Sequence, residues 1–404
     1  MSTRMSRQNR LKEIIDDDKI FKGNDIHSLS EGRKLLFYGA DEGELIDIDI
    51  LITIEDFITY TSNVYYECSR EDEFDINSYN YIVFKNFKFS KQLQINNSLR
   101  IDVKFENCSF NISPFIYGSA YEIKIKFDNC EFNTLTNNNV DFKEYVEFFN
   151  CRFINHTVFL KCYFYKNISF TKSVFLHNTF FTHSSFEKQL IFTRTKFGNK
   201  ERPVGLDLSQ SIINGTISFF MVELYSYPSI SINIYSDTYD NVLKHGSYIP
   251  IENKRETFRI IKNQLIGQNN LIEAEKYLKF EKQTFLEEKH LEVIYEYNDF
   301  KKIKLLLSDY LILKLNKYSN YFKTSWLTGL VFILVVTFIF HCVLSISKSY
   351  DFENLKNYVS LINLTDFELL KNEQNTKFYV TVFFAKLSIG FGIYQLVQAF
   401  RKFK

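Results

Sequence analysis

FENCSF at 105–110, FDNCEF at 127–132 and FFNCRF at 148–153 are one six-residue phrase written three times, at intervals of 22 and 21 residues. Upstream, FKNFKF at 84–89 keeps the same Phe spacing with Phe87 in the cysteine's place. Downstream, FLKCYF (159–164), FTKSVF (170–175), FTHSSF (181–186) and FTRTKF (192–197) follow at steps of 11. The position two before the second Phe is Cys108, Cys130, Cys151, Cys162, Ser173, Ser184 or Thr195, so it is always small. Of the 43 Phe in the chain, 21 lie between 81 and 200, so the aromatic excess belongs to this repeat.

A period of 11 is compatible with a right-handed helical coiled coil. The composition opposes it: Phe, Thr, Ser, Asn and Ile favour strands and turns over helix interiors. Fixed self-similarity in such residues predicts a solenoid. Alternating steps of five and six make four short faces in about 21–22 residues. The large residue and the small one two before it share a parity, so both point inward. Stacked coils, about 4.8 Å apart, then place Phe on Phe and Cys on Cys or Ser. The predicted core is Phe105, Phe110, Phe127, Phe132, Phe148, Phe153, Phe164, Phe175, Phe186 and Phe197, with Cys108, Cys130 and Cys151 filling the gaps between rings.

The segments CSFNI (108–112), CEFNT (130–134), CRFIN (151–155) and SVFLH (173–177) resemble the pentapeptide-repeat proteins, whose unit is a small residue, a polar residue, Leu or Phe, and two variable residues. The resemblance covers residues 81–220, about a third of the chain. It implies a mainly β fold, a right-handed quadrilateral β-helix. The chain departs from the family pattern in having little Ala, Asp or Asn at the first two positions and in its six-residue steps. SAYEIKIK (119–126) and TLTNNNV (134–140) fit the rhythm poorly and are expected to be bulges or loops. ELIDIDILITIEDFITY (44–60) is the expected entry strand of a capping region within 1–80, and LDLSQSIINGTISFF (206–220) a last coil.

After the rod the composition changes. A helical region is expected over 221–322. Within it, 255–290 reads as two helices joined at 267–270, and IEAEKYLKFEKQTF is similar to a helical hairpin of bacterial pentapeptide-repeat membrane proteins. A third helix near 300–322 has a broad Leu face and five Lys; it either packs on the hairpin or lies on a membrane surface. The remainder, 323–404, reads as a two-helix transmembrane hairpin with spans near 326–346 and 378–400. Six Lys precede the first span, and Arg401, Lys402 and Lys404 follow the second. The loop at 347–377 carries four Lys and five acids. The positive-inside rule then places both termini in the cytoplasm. The expected location is a bacterial inner membrane, with the rod cytosolic. The first residues, MSTRMSRQNRLKEIIDDDK, contain no apolar stretch, so no secretory signal is expected there and paired disulfides are disfavoured.

The second span carries Lys386. A lone charge at mid-membrane costs at least about 2.5–3.5 kcal/mol, so it needs a water-filled lumen, a partner residue or snorkelling; it reads as a pore-lining or oligomer-interface Lys, as a Lys bonded to backbone carbonyls, or as the mark of a span whose helix starts deeper. Thr381, Ala385, Ser388, Gly392, Gln395 and Ala399 share one side, with Lys386 and Gly390 beside them. Such a stripe is a helix-association face, towards the first span or towards another chain. SIGFGIY (388–394) is not expected to be a channel filter, since a filter loop must be followed by another helix and ten residues follow Tyr394 in this sequence.

Net charge of +1 and mixed charges along the rod speak against nucleic acid as a partner. His177 and His183 are six apart, as are His156 and Cys162, so neither pair need share a face. No phosphate loop or zinc spacing occurs, so neither an enzyme nor any catalytic, cofactor or metal residue is expected. Two functions follow from the residues. In the first, the rod binds an unknown protein and the hairpins form a homo-oligomer in the bilayer, an ion-permeable or membrane-perturbing effector centred on Lys386, Ser388, Gly390, Gly392 and Gln395. In the alternative, the hairpin is a passive anchor for a protein-binding scaffold.

Overall fold

The computed structural model describes residues 34–38, 45–48, 51–58, 81–232, 248–295, 300–322, 324–346, 353–366 and 376–401. The chain divides into two compact units, Met1–Asn270 and Leu271–Lys404.

Residues of one parity must all find an apolar interior, and in the first unit they do so by coiling. Short strands recur on each circuit and pair in parallel with the equivalent strand of the next coil, giving a parallel β-solenoid. The longest sheet has eight strands, and others have seven, five and four. Register is held by identical residues: Phe105 pairs with Phe127, and Phe127 with Phe148. All ten predicted core phenylalanines are buried. They stack in columns. Phe105, Phe127, Phe148 and Phe170 have ring centroids 5.0–5.1 Å apart. Phe110, Phe132, Phe153, Phe175 and Phe197 form a second column at 4.4–5.2 Å. Adjacent columns meet edge to face, as Phe127 and Phe132 do at 5.1 Å. The 11-residue step therefore joins opposite sides of one coil, and stacking follows the 21–22-residue circuit: Phe142, Phe164 and Phe186 make a separate column at 4.9 and 5.0 Å.

The two stretches expected to be bulges or loops are strands instead: Ala120–Tyr121 and Ile125–Asp128 in the first, Leu135–Asn138 in the second. An inward polar residue disguised the second. Asn137 is buried and accepts from the Ser113 hydroxyl at 2.6 Å, so an amide fills a place where the pattern called for an apolar side chain.

The interior of the described coils is plugged at both ends. Ile46–Ile48 pairs with Phe87–Phe89, and Ile52–Thr53 with Leu93–Gln94. A helical turn at 54–58 follows, held by a reciprocal Thr53–Asp56 capping box with bonds of 3.0 and 3.1 Å. The turn places Phe57 over the interior, 5.0 Å from Phe84 and 6.0 Å from Phe87. At the far end, 206–220 supplies the strands Leu206–Asp207, Ile212–Ile213 and Ile217–Ser218. The helix Ile251–Gly267 packs on this last coil and satisfies its backbone. Thr257 Oγ1 accepts from Leu208 N at 2.9 Å, and Gln268 Nε2 donates to Ile217 O at 2.7 Å. Buried Asp207 accepts from Asn253 Nδ2 at 2.9 Å and from Ser209; burial pushes its carboxyl above the ordinary value against those bonds. A sheet edge that would otherwise template aggregation is thus covered.

The second unit is helical: Leu271–Tyr295, Phe300–Asn320, Trp326–Leu344, Leu355–Ile362 and Thr376–Phe400. Trp326–Leu344 and Thr376–Phe400 are long and apolar enough to cross a membrane. They pack antiparallel, Trp326 stacking on Phe400 at 5.8 Å. The eight-residue helix Leu355–Ile362 lies within the stretch read as a loop. Its signals were present: Asn354 caps it by accepting from Lys356 N at 3.0 Å, and Leu361 is buried.

Candidate functional site

Two sets of buried polar groups stand out, one in each unit. In the solenoid, the small residues between the rings are all buried. They are also hydrogen-bond donors, each reaching a backbone carbonyl one coil earlier. The Cys108, Cys130 and Cys151 thiols donate to Phe84 O, Phe105 O and Phe127 O at 3.4–3.5 Å. Ser173, Ser184 and Thr195 donate to Phe148 O, Phe159 O and Phe170 O at 2.7–2.9 Å. Ser211 does the same to Phe181 O at 2.7 Å. Burial pushes the Cys108 and Cys151 thiols well above the ordinary thiol range and Cys162 to about 12, which keeps them protonated and able to donate. The reading of these residues as fillers was incomplete. The clue was their identity: Cys, Ser and Thr all carry a donor, and Ala never takes the place.

The residue just before the small one was overlooked as well. Asn86, Asn107, Asn129 and Asn150 all have φ between +52° and +62°. Asn tolerates this left-handed conformation better than other non-Gly residues. Their amides also form a ladder: Asn107 Nδ2 donates to Asn86 Oδ1 at 2.7 Å, Asn129 to Asn107 at 3.4 Å and Asn150 to Asn129 at 3.1 Å. The Asn of the repeated phrase therefore makes the corner and links one corner to the next. Of the histidines, the structure joins a pair not singled out from spacing: the rings of His156 and His177 meet edge to face at 5.2 Å, and His177 Nδ1 bonds Ile154 O at 2.6 Å.

In the helical unit, the small stripe of Thr376–Phe400 is used inside the chain. Ala385, Gly392, Gln395 and Ala399 are buried. A Cβ on Gly392 would come within 2.8 Å of Ile333 Cγ1, so only hydrogen fits where the two long helices meet. Ser388 is half-buried on the flank, and Thr381 Oγ1 bonds its own helix at Lys377 O, 2.9 Å away. Gly390 faces outward past the first apolar helix; a Cβ there would meet Leu364 Cδ1 at 3.5 Å. Gln395 binds the helix Phe300–Asn320, its Nε2 donating to Asn316 Oδ1 at 3.1 Å and its Oε1 accepting from Asn320 Nδ2. Asn316, Gln395 and Lys282, with Leu278, Leu313 and Phe322, line a cavity of about 300 Å3.

Lys386 finds backbone oxygens. Its Nζ donates to Ser360 O at 3.4 Å, Asn363 O at 2.7 Å and Asp366 O at 2.5 Å. Ser360 O and Asn363 O belong to the C-terminal end of Leu355–Ile362, where the helix dipole is negative and carbonyls lack helical partners, and Asp366 O to the turn that follows. Of the offsets open to a charge in an apolar helix, the geometry provides backbone carbonyls, with the Asp366 carboxylate near enough to act on the ammonium as well. The polar residues of the first apolar helix turn elsewhere: Thr337 Oγ1 bonds Ile333 O at 2.8 Å, Thr328 bonds Ser325, and His341 meets the Tyr358 ring. Among the described residues, no three His, Cys, Asp or Glu side chains converge as a metal site.

No family model, no curated protein and no solved structure matches this chain.

Proposed function

We propose that the protein is a membrane-anchored docking scaffold: a cytosolic solenoid displayed on a two-span hairpin of a bacterial inner membrane, with both termini in the cytoplasm. We also assign the solenoid to the pentapeptide-repeat type, right-handed and four-sided. The inward Phe at five- and six-residue steps and the four principal sheets support that assignment.

One observation carries the preference for an anchor. The features that spoke for a pore are engaged within a single chain: Lys386 on carbonyls, Gly392 on Ile333, Gln395 on Asn316 and Asn320. None needs a lumen or a second copy for its bonds. The solenoid exterior supports protein docking. Its charges are interleaved in pairs, such as Lys104–Glu106 at 2.5 Å, Lys126–Glu147 at 3.8 Å and Lys196–Glu223 at 2.8 Å, and do not form an acidic stripe.

The test is reconstitution of the full chain into liposomes loaded with a potassium gradient. A scaffold floats with the vesicles after alkaline wash and leaves the gradient intact. Collapse of the gradient by wild type, and its preservation by Lys386→Leu, would replace the anchor with the effector reading. A protein that does not float is no anchor at all.

A further inference from the structure

The antiparallel pairing of the two long helices sets a depth scale. Trp326 lies level with Phe400, Gly329 with Leu396 and Ile333 with Gly392. The midpoint of Trp326–Leu344 is Val335, which is therefore level with about Gly390. Residues between the two helices reach this level. The Tyr358 hydroxyl donates to Leu334 O at 2.9 Å, and its ring meets His341 at 5.4 Å. Leu361 packs in the cluster that holds Ile333, Phe378, Val382, Ala385 and Ile389. Leu364 lies beside Gly390.

If the long helices span a bilayer, Leu355–Ile362 cannot be a surface loop. We propose that it is a re-entrant helix, and that its polar tip, Asn363–Asp366, lies at mid-depth in a water-filled vestibule open to the side on which Leu344 and Thr376 end the two long helices. This inference rests on the membrane reading above and goes beyond it.

Two observations point to water. Non-helical backbone is tolerated at bilayer depth only where protein covers it or water reaches it. Here Asn363 and Thr365, which flank the Leu364 that meets Gly390, are exposed, and among the described residues Thr365 Oγ1 and Asn363 Oδ1 bond within their own turn, at 2.9 Å. Lys386 is the pin. An ammonium held by three carbonyls at and just beyond the C-terminal end of the re-entrant helix fixes the tip and neutralises the dipole end. The vestibule stops there: inward of Gly390 the helices close over Gly392, Ile333 and Phe332. A half-depth vestibule is thus compatible with an anchor that holds an ion gradient.

The test uses the full chain in proteoliposomes and a charged, membrane-impermeant methanethiosulfonate, with wild type as the background for native thiols. Thr365→Cys is compared with Phe338→Cys, which sits on the exposed apolar face of the first long helix. The vestibule predicts labelling at Thr365→Cys and a rate at Phe338→Cys more than about 100-fold slower, because a thiol in hydrocarbon does not ionise. No labelling at Thr365→Cys overturns the vestibule. Equal, rapid labelling at both overturns the membrane reading itself, a distinguishable failure. Leu364→Cys paired with Gly390→Cys should be bridged by a short bifunctional methanethiosulfonate, since a Cβ at 390 would lie 3.5 Å from Leu364 Cδ1. Labelling at Thr365→Cys without that cross-link puts the tip at the outer surface and overturns the mid-depth placement. Lys386→Met should reduce the cross-link and Lys386→Arg retain it; equal yield in both removes Lys386 from the role of pin.

Discussion

The solenoid and the helical hairpin solve the same problem by different means. Each buries polar groups that would be costly unpaired. In the solenoid the solution is periodic: from Cys108 onward a thiol or hydroxyl in successive coils donates to the carbonyl of the coil before, as Cys151 does to Phe127 O and Ser173 to Phe148 O. In the hairpin each solution is singular: Lys386 has its three carbonyls and Gln395 its two asparagines. A periodic solution spreads the consequence of an error along the rod, since every coil supports its neighbours. A singular one confines it.

The largest effect should come from breaking a Phe column. Phe127 is fully buried, stacked between Phe105 and Phe148, with edge contacts to Phe110 and Phe132. Phe127→Ala should cost about 3–5 kcal/mol, read as a fall in the denaturant midpoint of the full chain in detergent. A loss below about 1 kcal/mol would mean the columns do not set the stability of the rod. Next in size is Ser173→Ala. It orphans two groups at once, because Ser173 Oγ donates to Phe148 O and accepts from Cys151 N at 3.1 Å. The expected cost is about 1–3 kcal/mol, and Ser173→Cys should recover part of it. If Ala and Cys are equivalent at 173, the small residues are fillers after all and the periodic half of the comparison fails.

The contrast explains what could be read from the chain. Repetition makes a rule visible: Phe at 105, 127 and 148 showed the stacking, and the parallel solenoid followed. The same repetition held information that spacing alone does not reveal. Asn at 107, 129 and 150 is a corner residue because of its φ, which becomes evident only once the backbone is traced. The hairpin offered no repeats to compare. Gln395 and Asn316 are 79 residues apart, and Lys386 and Asn363 are 23 apart across a stretch that reads as a polar loop. Helix-face reasoning found the stripe containing Gly392 and Gln395 but could not name their partners, since a lone polar residue has many possible partners and the backbone carbonyls chosen by Lys386 have no sequence signature.

Gln395→Leu tests the singular side. It removes the side-chain bonds to half-buried Asn316 and buried Asn320, while Asn320 Nδ2 keeps the backbone oxygen of residue 395. Interhelical bonds of this kind in membrane proteins are worth about 0.6–1.7 kcal/mol, so a loss in that range is expected, measured by unfolding the full chain in a denaturing detergent series. The solenoid's amide exchange should be unchanged. A change that spreads into the solenoid would contradict the confinement of the error.

The smallest effect should be a gain. The Asn ladder of 86, 107, 129 and 150 ends where the same corner is taken by Lys172, at φ +59°. Holding a long side chain there carries a strain of about 1 kcal/mol that Asn partly escapes. Lys172→Asn would also place an amide in line with Asn150, whose own Nδ2 already donates to Asn129. Against this, Lys172 Nζ lies 4.8 Å from the Phe149 ring, a contact worth about 0.5–1 kcal/mol at an exposed site. Relief of strain and a further rung outweigh that loss by a small margin, so the expected change is a gain of about 0.5 kcal/mol in the denaturant midpoint. Repeating Lys172→Asn in an Asn150→Ala background isolates the backbone part, since it relieves the same strain and adds no rung. If the gain is equal in the two backgrounds, the ladder contributes nothing and the asparagines serve the corner alone; if it is larger with Asn150 present, the amide rungs are a second periodic bond of the solenoid, running along its outside in step with the thiol and hydroxyl bonds within.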